Sequence, residues 1–331
     1  MNADKLVVTA SPHVRSADST PRIMWHVVGS LVPVILAAAW FFGVSALLQV
    51  ATAVLVSLLT ERTTGKGGAI ADGSATITGI LLGLSLPAGF PLWMTALGAA
   101  FAIVFGKQVW GGLGQNAFNP ALVGRAFLQG AFPVAITTWP SAGGGFFTLR
   151  GDLFALPFAR PQPYAETSAT PLGLLKFEGE GTPLGNLVIG NTGGSLGETA
   201  ALVILAGGIY LAWRGYLNWR IPVSVIATVA AVSAVVRLLD ASAPDPWFMV
   251  FSGGLMLGAV YMATDIVTAP ITNAGRWIFG AGIGILVVVI RLWGGLAEGV
   301  MYAILFMNAL TPFINRATQP RVFGTRLRTA T

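Results

Sequence analysis

Residues 24–60 read MWHVVGSLVPVILAAAWFFGVSALLQVATAVLVSLLT and include no Asp, Glu, Lys or Arg. An apolar run of about 20 residues is long enough to cross the hydrocarbon core of a bilayer as a helix. This stretch has room for two such crossings, with Gly43 between them. It therefore predicts two consecutive membrane spans, over 24–42 and 44–60.

The composition of the whole chain is also that of a membrane protein. Of its 331 residues, 54% are hydrophobic and only 10% are charged, whereas soluble domains carry about 25% charged residues. We therefore predict an all-α polytopic membrane protein with about ten transmembrane helices. Apolar runs place the other eight spans at about 72–86, 91–107, 120–136, 197–213, 219–237, 247–264, 277–292 and 298–314.

The positions of the basic residues predict an orientation. In this arrangement the 19 Lys and Arg residues divide 14 to 5 between the two sides of the membrane. Because cytoplasmic loops are enriched in Lys and Arg, we expect a bacterial inner-membrane protein with both termini in the cytoplasm. The long loop 137–196 is then periplasmic. The basic pI is therefore explained by Lys and Arg residues at the membrane edges and not by nucleic acid binding.

Two short motifs recur in the same order. WGGL at 110–113 returns at 293–296, and GILLG at 79–83 is echoed by GLMLG at 254–258. Each half contains five predicted spans, an odd number, so the second half is expected to be an inverted repeat of the first. Chance recurrence of glycine motifs where helices pack closely is the alternative. The predicted organisation is a cytoplasmic segment 1–21, a five-helix repeat 22–136, an extracytoplasmic loop 137–196, a second five-helix repeat 197–316 and a basic cytoplasmic tail 317–331.

Residue types that could carry a metal or redox centre are scarce. The chain has no cysteine, and its only two histidines are His13 and His26. Thiolate-ligated iron–sulfur clusters and thiol catalysis are therefore excluded within this chain. We predict no metal site and no catalytic residue acting alone. An organic cofactor is the remaining route by which the chain could carry electrons.

Three motifs identify a family resemblance. They are GKQVWGGLGQNAFNPALVG at 106–124, DGSAT at 72–76 and TSATPL at 167–172. With them the chain resembles the RnfD/NqrB family of membrane subunits over 22–316, and its length is closest to RnfD. The resemblance implies a membrane subunit that transfers electrons and couples ferredoxin:NAD⁺ electron flow to Na⁺ or H⁺ translocation.

The resemblance also implies a covalent cofactor. Family members carry FMN attached through its phosphate to a threonine of an extracytoplasmic loop. The acceptor matches Thr170, with Ala169 before it and Thr167 at the family's Ser/Thr position. Ser168 stands where glycine is common and Tyr164 where the family has Asp, which bears on recognition by the flavin transferase and leaves the acceptor hydroxyl in place.

The residues around Thr170 suit this role. Pro171 favours an extended backbone at the residue before it, which presents the hydroxyl to a modifying enzyme. An ordinary Thr-Pro turn is the alternative. Trp139, Phe146, Phe147 and Tyr164 could stack on a flavin ring or belong to an interfacial aromatic belt.

A second group of polar residues lies at predicted span ends. Asn116 and Asn119 precede the fifth span in a glycine-rich turn, where a helix start leaves N–H groups free for a ligand. The resemblance suggests a second, non-covalent flavin, riboflavin, nearby, and plain helix capping is the alternative. Asp72, Lys107 and Arg125 are candidates for the same flavin site or for an ion path, or else they face the interface. Asp265, Arg291 and Glu298 also lie at or near span ends, with the same two readings for a charge: an ion or proton path, or the interface.

The resemblance implies a set of partners. They are the other membrane and peripheral subunits of an Rnf-type complex, including a second covalent-FMN subunit and iron–sulfur subunits, together with the flavin transferase and Na⁺ or H⁺. Two other functions stay open at this point. One is an NqrB-type subunit of a Na⁺-translocating NADH:quinone reductase, and the other is a passive small-solute channel of the same architecture.

Overall fold

The computed structural model describes residues 18–65, 72–157, 168–190, 192–198 and 201–320. Within these ranges the secondary structure is helical, no β-strand forms, and one isolated β-bridge joins Pro87 to Ser195. The all-helical class predicted from the apolar runs is confirmed. Thr167, most of segment 1–21 and most of the tail 317–331 lie outside the described residues.

The first two helices cover the apolar stretch 24–60. Helix α1 (Thr20–Phe42) begins after Ser19, whose hydroxyl accepts a hydrogen bond from the Arg22 N–H at 3.4 Å. It ends at Gly43, which has a φ of 67°. A Cβ at Gly43 would also collide with the carbonyl oxygen of Phe146. The turn into helix α2 (Val44–Thr64) therefore requires glycine both for its φ and for space.

The other helices of the first half are shorter. They are α3 (Ser74–Leu84), α4 (Leu92–Ile103, continued by a π-helical turn Val104–Gln108), α5 (Pro120–Ala131) and α6 (Pro133–Ile136). Helix α3 packs closely on α2, because a Cβ on Gly79 would lie 2.6 Å from Val54 Cα. The glycines of the GILLG motif thus allow the close helix packing expected of them.

The predicted loop between the halves contains helical turns of its own. They are α7 (Pro171–Gly173), a π-helical turn Leu174–Glu178 and α8 (Leu184–Ile189). The second half then contributes α9 (Ala201–Trp213), α10 (Arg220–Leu239), α11 (Pro246–Phe251), α12 (Leu255–Leu257, continued by a π-helical turn Gly258–Met262), α13 (Asn273–Trp293) and α14 (Val300–Thr318).

The segment 247–264, predicted as one span, is broken. Helix α11 ends before Ser252, whose backbone is extended, and α12 begins after Gly254. Gly253, between them, has a φ of 66°, a conformation that side chains other than glycine rarely adopt. The glycine pair therefore interrupts the helix, and we call residues 252–254 the helix break.

Four helices, α1, α2, α10 and α13, are long and apolar enough to cross a membrane, and α3, α4 with its π-helical turn and α9 are shorter apolar helices. The polytopic membrane class is thereby confirmed. Helical residues occur in each of the ten predicted segments, while the count of ten crossings and the inverted repeat remain predictions.

Contacts between connecting segments define two ends of the helix bundle. At one end the Val44 N–H donates to the Phe146 carbonyl at 2.8 Å, and the Leu92 N–H donates to the Leu153 carbonyl at 3.0 Å. At the other end the Tyr216 hydroxyl donates to Asp18 at 2.8 Å. We call these the Thr170 end and the Lys107 end, after the residues that each contains.

Candidate functional site

Thr170 caps the start of α7. Its backbone is extended, with φ −68° and ψ 154°, as Pro171 favours. Its side-chain oxygen accepts a hydrogen bond from the Gly173 N–H at 3.1 Å. Because the oxygen acts as acceptor in this cap, the hydroxyl proton takes no part in it. The position thus combines the capping role of the plain Thr-Pro turn with a hydroxyl that remains available for reaction.

The residues just before Thr170 are held in different ways. The Ser168 N–H donates to the Trp139 carbonyl at 2.8 Å, and a Cβ on Gly193 would collide with the Ser168 hydroxyl. Ala169 is exposed. The segment predicted to carry FMN is therefore hydrogen-bonded to Trp139, near the start of loop 137–196, and the methyl side chain of Ala169 is exposed to solvent. Thr167 lies outside the described residues.

Thr170 lines a pocket that residues of both halves enclose. Arg125 comes from α5, Glu198 precedes α9, and Glu298 precedes α14. Of the aromatic residues considered for flavin stacking, Trp139 lines this pocket, whereas Phe146 and Phe147 are exposed and contact each other. We call it the Thr170 pocket, and its polar and aromatic members are Arg125, Gln129, Thr137, Trp139, Thr170, Glu198, Glu298 and Tyr302.

An ion pair joins the two halves inside this pocket. Arg125 Nη2 donates to Glu298 Oε2 at 2.8 Å. The two side chains are 10% and 20% exposed. Arg125 Nε is buried and has no hydrogen-bond partner. The pocket therefore holds one cation with an unused donor, which can bind an anion, beside the carboxylates of Glu298 and Glu198.

Two charged side chains complete the hydrogen bonding of the helix break. Glu298 Oε1 accepts from the Gly254 N–H at 2.6 Å, at the start of α12. Arg291 donates to the carbonyl oxygens of Ser252, at 2.9 Å, and Met249, at the end of α11. A carboxylate thus satisfies a free N–H group and a guanidinium satisfies free carbonyls, as a helix interrupted inside a protein requires.

Gly254 is therefore a site of close approach and not of helix packing. A Cβ there would lie 2.6 Å from Glu298 Oε1. Gly258, the other glycine of the second motif, has the expected role, since a Cβ on it would collide with Val300 of α14.

Lys176 attaches the Thr170 segment to the end of α13. Its ammonium donates to the carbonyl oxygens of Arg291 at 2.9 Å, Gly294 at 2.5 Å and Leu296 at 2.9 Å. A cation at the carboxyl end of a helix is favoured by the helix dipole. Burial lowers the pKa of Lys176 from its ordinary value. The residue fixes the segment that bears Thr170 against the turn that bears Glu298.

A second pocket lies at the Lys107 end. We call it the Asn116 pocket, and its polar members include Ser74, Lys107, Asn116, Asn119 and Asp265. Asn119 Oδ1 accepts from the N–H groups of Ala121 and Leu122 at 3.0 and 3.3 Å, so it caps α5. Its amide nitrogen donates to the Met262 carbonyl at 3.1 Å. Asn119 thus caps its own helix and also contacts the second half.

Asp265 is partly buried and lines the same pocket as Asn116. Its carboxylate accepts from the Val267 N–H at 3.2 Å and the Thr268 hydroxyl at 3.4 Å, with a further hydrogen bond to the Asn116 side chain. Burial raises the pKa of Asp265, and these hydrogen bonds oppose the increase. The acid and the amide together give the Asn116 pocket its polar side.

Lys107 and Asp72 belong to one network behind this pocket. The Lys107 ammonium pairs with Glu61 and donates to the Ser74 hydroxyl at 2.5 Å. Asp72 accepts from the N–H and hydroxyl of Ser74 at 2.7 and 2.5 Å. The Lys107 and Glu61 side chains are 2% and 0% exposed. Four of the five residues predicted for a second flavin or ion path thus lie at this end, and Arg125 lies in the Thr170 pocket instead.

Two acidic residues of these sites, Glu61 and Glu198, were not predicted as site residues from the sequence. Glu61 falls next to Arg62 at the end of a predicted span, where a charge is expected to face the interface. Glu198 lies at the very start of another span, and its carboxylate accepts from the Ser195 hydroxyl at 2.8 Å. The available signal was that each is an acid inside or beside an apolar run, which often marks a functional position.

Known proteins are similar to this chain over most of its length. Residues 7–324 match the NQR2, RnfD, RnfE family. The chain is 41% identical, over 96% of each chain, to the D subunit of the proton-translocating ferredoxin:NAD(+) oxidoreductase complex of Clostridium ljungdahlii. It is 39% identical, over 98% of this chain and 97% of the relative, to the D subunit of the Na(+)-translocating ferredoxin:NAD(+) oxidoreductase complex of Acetobacterium woodii. It is also 39% identical, over 96% and 95%, to the D subunit of the ion-translocating oxidoreductase complex of Pseudomonas aeruginosa.

Proposed function

The chain belongs to the NQR2, RnfD, RnfE family, and from this membership we propose that it is the D-type membrane subunit of an Rnf ion-translocating oxidoreductase complex. In that role it transfers electrons within a complex that couples ferredoxin:NAD⁺ electron flow to ion translocation. The observation that carries the proposal is similarity along nearly the whole chain to relatives named as the D subunits of such complexes. The chain works with the other subunits of that complex and is not catalytic alone.

We propose that FMN is attached through its phosphate to the Thr170 hydroxyl. The residues present fit such a group. The hydroxyl lines a pocket with Arg125, whose buried Nε has no partner and can oppose the negative charge of a phosphodiester. Trp139 offers an aromatic wall in the same pocket. FMN supplies one- and two-electron transfer when bound, and the protein positions it and excludes competing reactions.

The chain's own groups divide this task. Thr170 supplies the ester oxygen, and the cap to Gly173 fixes the direction of that oxygen. Ser168 and Lys176 hold the segment on either side of it. The flavin transferase and partner subunits reach the site from the Thr170 end, where Ala169 is exposed. The expected orientation, with this end periplasmic and both termini cytoplasmic in the inner membrane, follows from the distribution of basic residues.

We further propose that riboflavin binds without a covalent bond in the Asn116 pocket. Riboflavin has a ring with hydrogen-bonding edges and a polyhydroxyl chain, but no phosphate. The pocket offers apolar walls from α1 and α3, with Asn116 and Asp265 as polar groups. This placement supplies a second flavin at the opposite end of the bundle, where electrons from the Thr170 end could be transferred to other subunits.

The coupling ion is Na⁺ or H⁺. Relatives at 41% and 39% identity are named for the proton and for Na⁺ respectively, so overall similarity does not select between them. The inverted repeat gives the proposed route for coupling, because two related halves can alternate between arrangements. The pattern of helix contacts in the two halves supports this repeat. In the first half α2 contacts α3 and α4, and α4 contacts α5. In the second half α10 contacts α11 and α13, and α13 contacts α14.

Denaturing electrophoresis tests the covalent flavin. When the chain is produced with a flavin transferase and its complex, we expect a fluorescent band that survives denaturation and is lost in Thr170→Ala. Thr137→Ala is the matched control, because Thr137 lines the same pocket, and its band should remain. Thr170→Ser should keep the band, because it keeps the hydroxyl. A chain without a fluorescent band in its native complex would reject the electron-carrier role and favour a passive channel.

A further inference from the structure

Glu298 contacts the Thr170 pocket and the helix break with the same carboxylate. Its Oε2 lies 2.8 Å from Arg125 Nη2, and its Oε1 accepts from the Gly254 N–H at 2.6 Å. Arg125 belongs to the first half and Gly254 to the second. One side chain therefore connects a cation in the proposed flavin pocket to an interrupted helix of the other half.

The segment that carries Thr170 also touches the break directly. A Cβ on Gly253 would lie 2.7 Å from Leu172 Cδ1 and 3.0 Å from Arg291 Nη2. Leu172 is buried and follows Thr170 by two residues. The break is thus packed between the attachment segment and the charged groups that satisfy its backbone, so a change in one of these contacts bears on the others.

We propose that Glu298 is a positioning residue that transmits the charge of the Thr170 pocket to the helix break. The inference rests on the covalent FMN of the proposed function. A phosphodiester on Thr170 brings negative charge into the pocket that Arg125 lines, and Arg125 Nε is available to bind it. The anion and Glu298 then compete for one guanidinium.

The surrounding charges make this competition consequential. A partly buried carboxylate that loses its cation is destabilised, so Glu298 moves away from its present contacts. Arg291 cannot replace Arg125 fully, because its guanidinium is bound to two carbonyl oxygens. Glu198, in the same pocket, is a second acid and offers no compensating charge. This movement weakens the charge-assisted hydrogen bond of Glu298 to Gly254.

The break has a structural connection to the Asn116 pocket. The π-helical turn Gly258–Met262 continues α12, and the Met262 carbonyl accepts from Asn119 at 3.1 Å. Gly254 is therefore separated from the contact with the cap of α5 by about two helical turns. A charge in one pocket can shift the balance between two arrangements of this helix only through its different affinity for each of them, and Glu298 supplies that difference.

Hydrogen exchange at the break tests the proposal. The complex is prepared with and without flavin transferase, and exchange of the Gly254 amide is followed by mass spectrometry of peptides spanning 250–258. A Thr170→Ala complex made with the transferase lacks FMN on this chain alone, and it should exchange as the preparation without FMN does. We expect the amide to exchange about five-fold faster when FMN is attached, as for loss of one hydrogen bond. In Glu298→Gln the exchange should be the same in both preparations, because the amide side chain carries no charge to compete.

Asp245→Asn is the matched control. Asp245 likewise pairs with an arginine, Arg237, at 3.1 Å and accepts from a backbone N–H, that of Trp247, at 3.0 Å, but it does not line the Thr170 pocket. Its variant should respond to FMN as the wild type does. Equal exchange of the wild type with and without FMN would overturn the proposal without the need for any variant. So would an FMN response that persists in Glu298→Gln. Intact masses showing no FMN on the wild type would instead reject the proposed function.

Discussion

The buried ion pairs at the two ends of the bundle differ in what they join. Lys107 and Glu61 pair within the first half, with side chains 2% and 0% exposed, and a third contact to Ser74. Arg125 and Glu298 pair across the two halves, with side chains 10% and 20% exposed, in the wall of the Thr170 pocket. Lys107 also lines a pocket, the Asn116 pocket, but the first pair is almost completely buried, whereas the second is more exposed to whatever occupies the Thr170 pocket.

This difference separates a structural role from a responsive one. An almost completely buried pair offers little surface to a competing ligand, so it fixes α2, α3 and the end of α4 relative to one another. A partly open pair can exchange one partner for a ligand at moderate cost. We therefore expect the two pairs to differ in their effect on stability and in their response to FMN.

The largest loss of stability is expected for Glu61→Ala. It leaves the Lys107 ammonium buried without its counter-charge, which costs about 3–5 kcal/mol. Thermal unfolding of the purified complex measures the loss. The double variant Glu61→Leu with Lys107→Met should recover most of it, because apolar side chains can replace a buried pair. An unchanged unfolding temperature in the single variant would show that the pair is not enclosed as described.

A smaller loss, about 2 kcal/mol, is expected for Arg125→Ala, because its partner Glu298 is more exposed and retains the Gly254 contact. The same unfolding measurement applies, with Arg125→Lys as the variant that keeps the charge and should lie between alanine and wild type. If Arg125→Ala were as damaging as Glu61→Ala, the contrast between the two ends would not hold.

Lys176→Met should cost about 1 kcal/mol, since it removes a cation from the carboxyl end of α13 without burying a new charge. Its main effect should be local. Limited proteolysis should cleave the segment 168–178 faster in this variant than in Lys176→Arg, which keeps the cation near the same carbonyls. Equal rates in both variants would argue against Lys176 as the anchor of this segment.

The smallest effect is expected at an exposed pair. Arg237 and Asp245 are 46% and 40% exposed, so Asp245→Asn should change stability by less than about 1 kcal/mol, and asparagine still caps α11. Thermal unfolding of this variant gives the baseline for the three others. A loss comparable to that of Arg125→Ala would mean that the contribution of these ion pairs to stability does not follow their exposure.

The sequence predicts much of the helical architecture, because apolar runs and caps act locally. The pair of helices in 24–60, the Asn119 cap of α5 and the extended backbone of Thr170 all follow from neighbouring residues. The exact crossing number does not follow, since α3 and α9 are shorter than a full span and their depth depends on packing.

The partnerships inside the site depend on distant residues. Arg125 and Glu298 are separated by 173 positions, and no local pattern indicates that they meet. Glu61 has the sequence context of an interfacial acid, although it is fully buried against Lys107. The helix break was not predicted because 247–264 contains no charged residue, and glycine pairs also occur in continuous membrane helices.

Peptide mapping shows whether FMN is attached to Thr170. Tryptic cleavage after Arg150 and Lys176 gives the peptide 151–176, which contains Thr170. In complex purified from native membranes, the account predicts this peptide with the added mass of one FMN less water, and fragmentation should place the addition on Thr170. The same peptide recovered wholly unmodified, or modified at another residue, would contradict the assignment of the electron carrier to this hydroxyl.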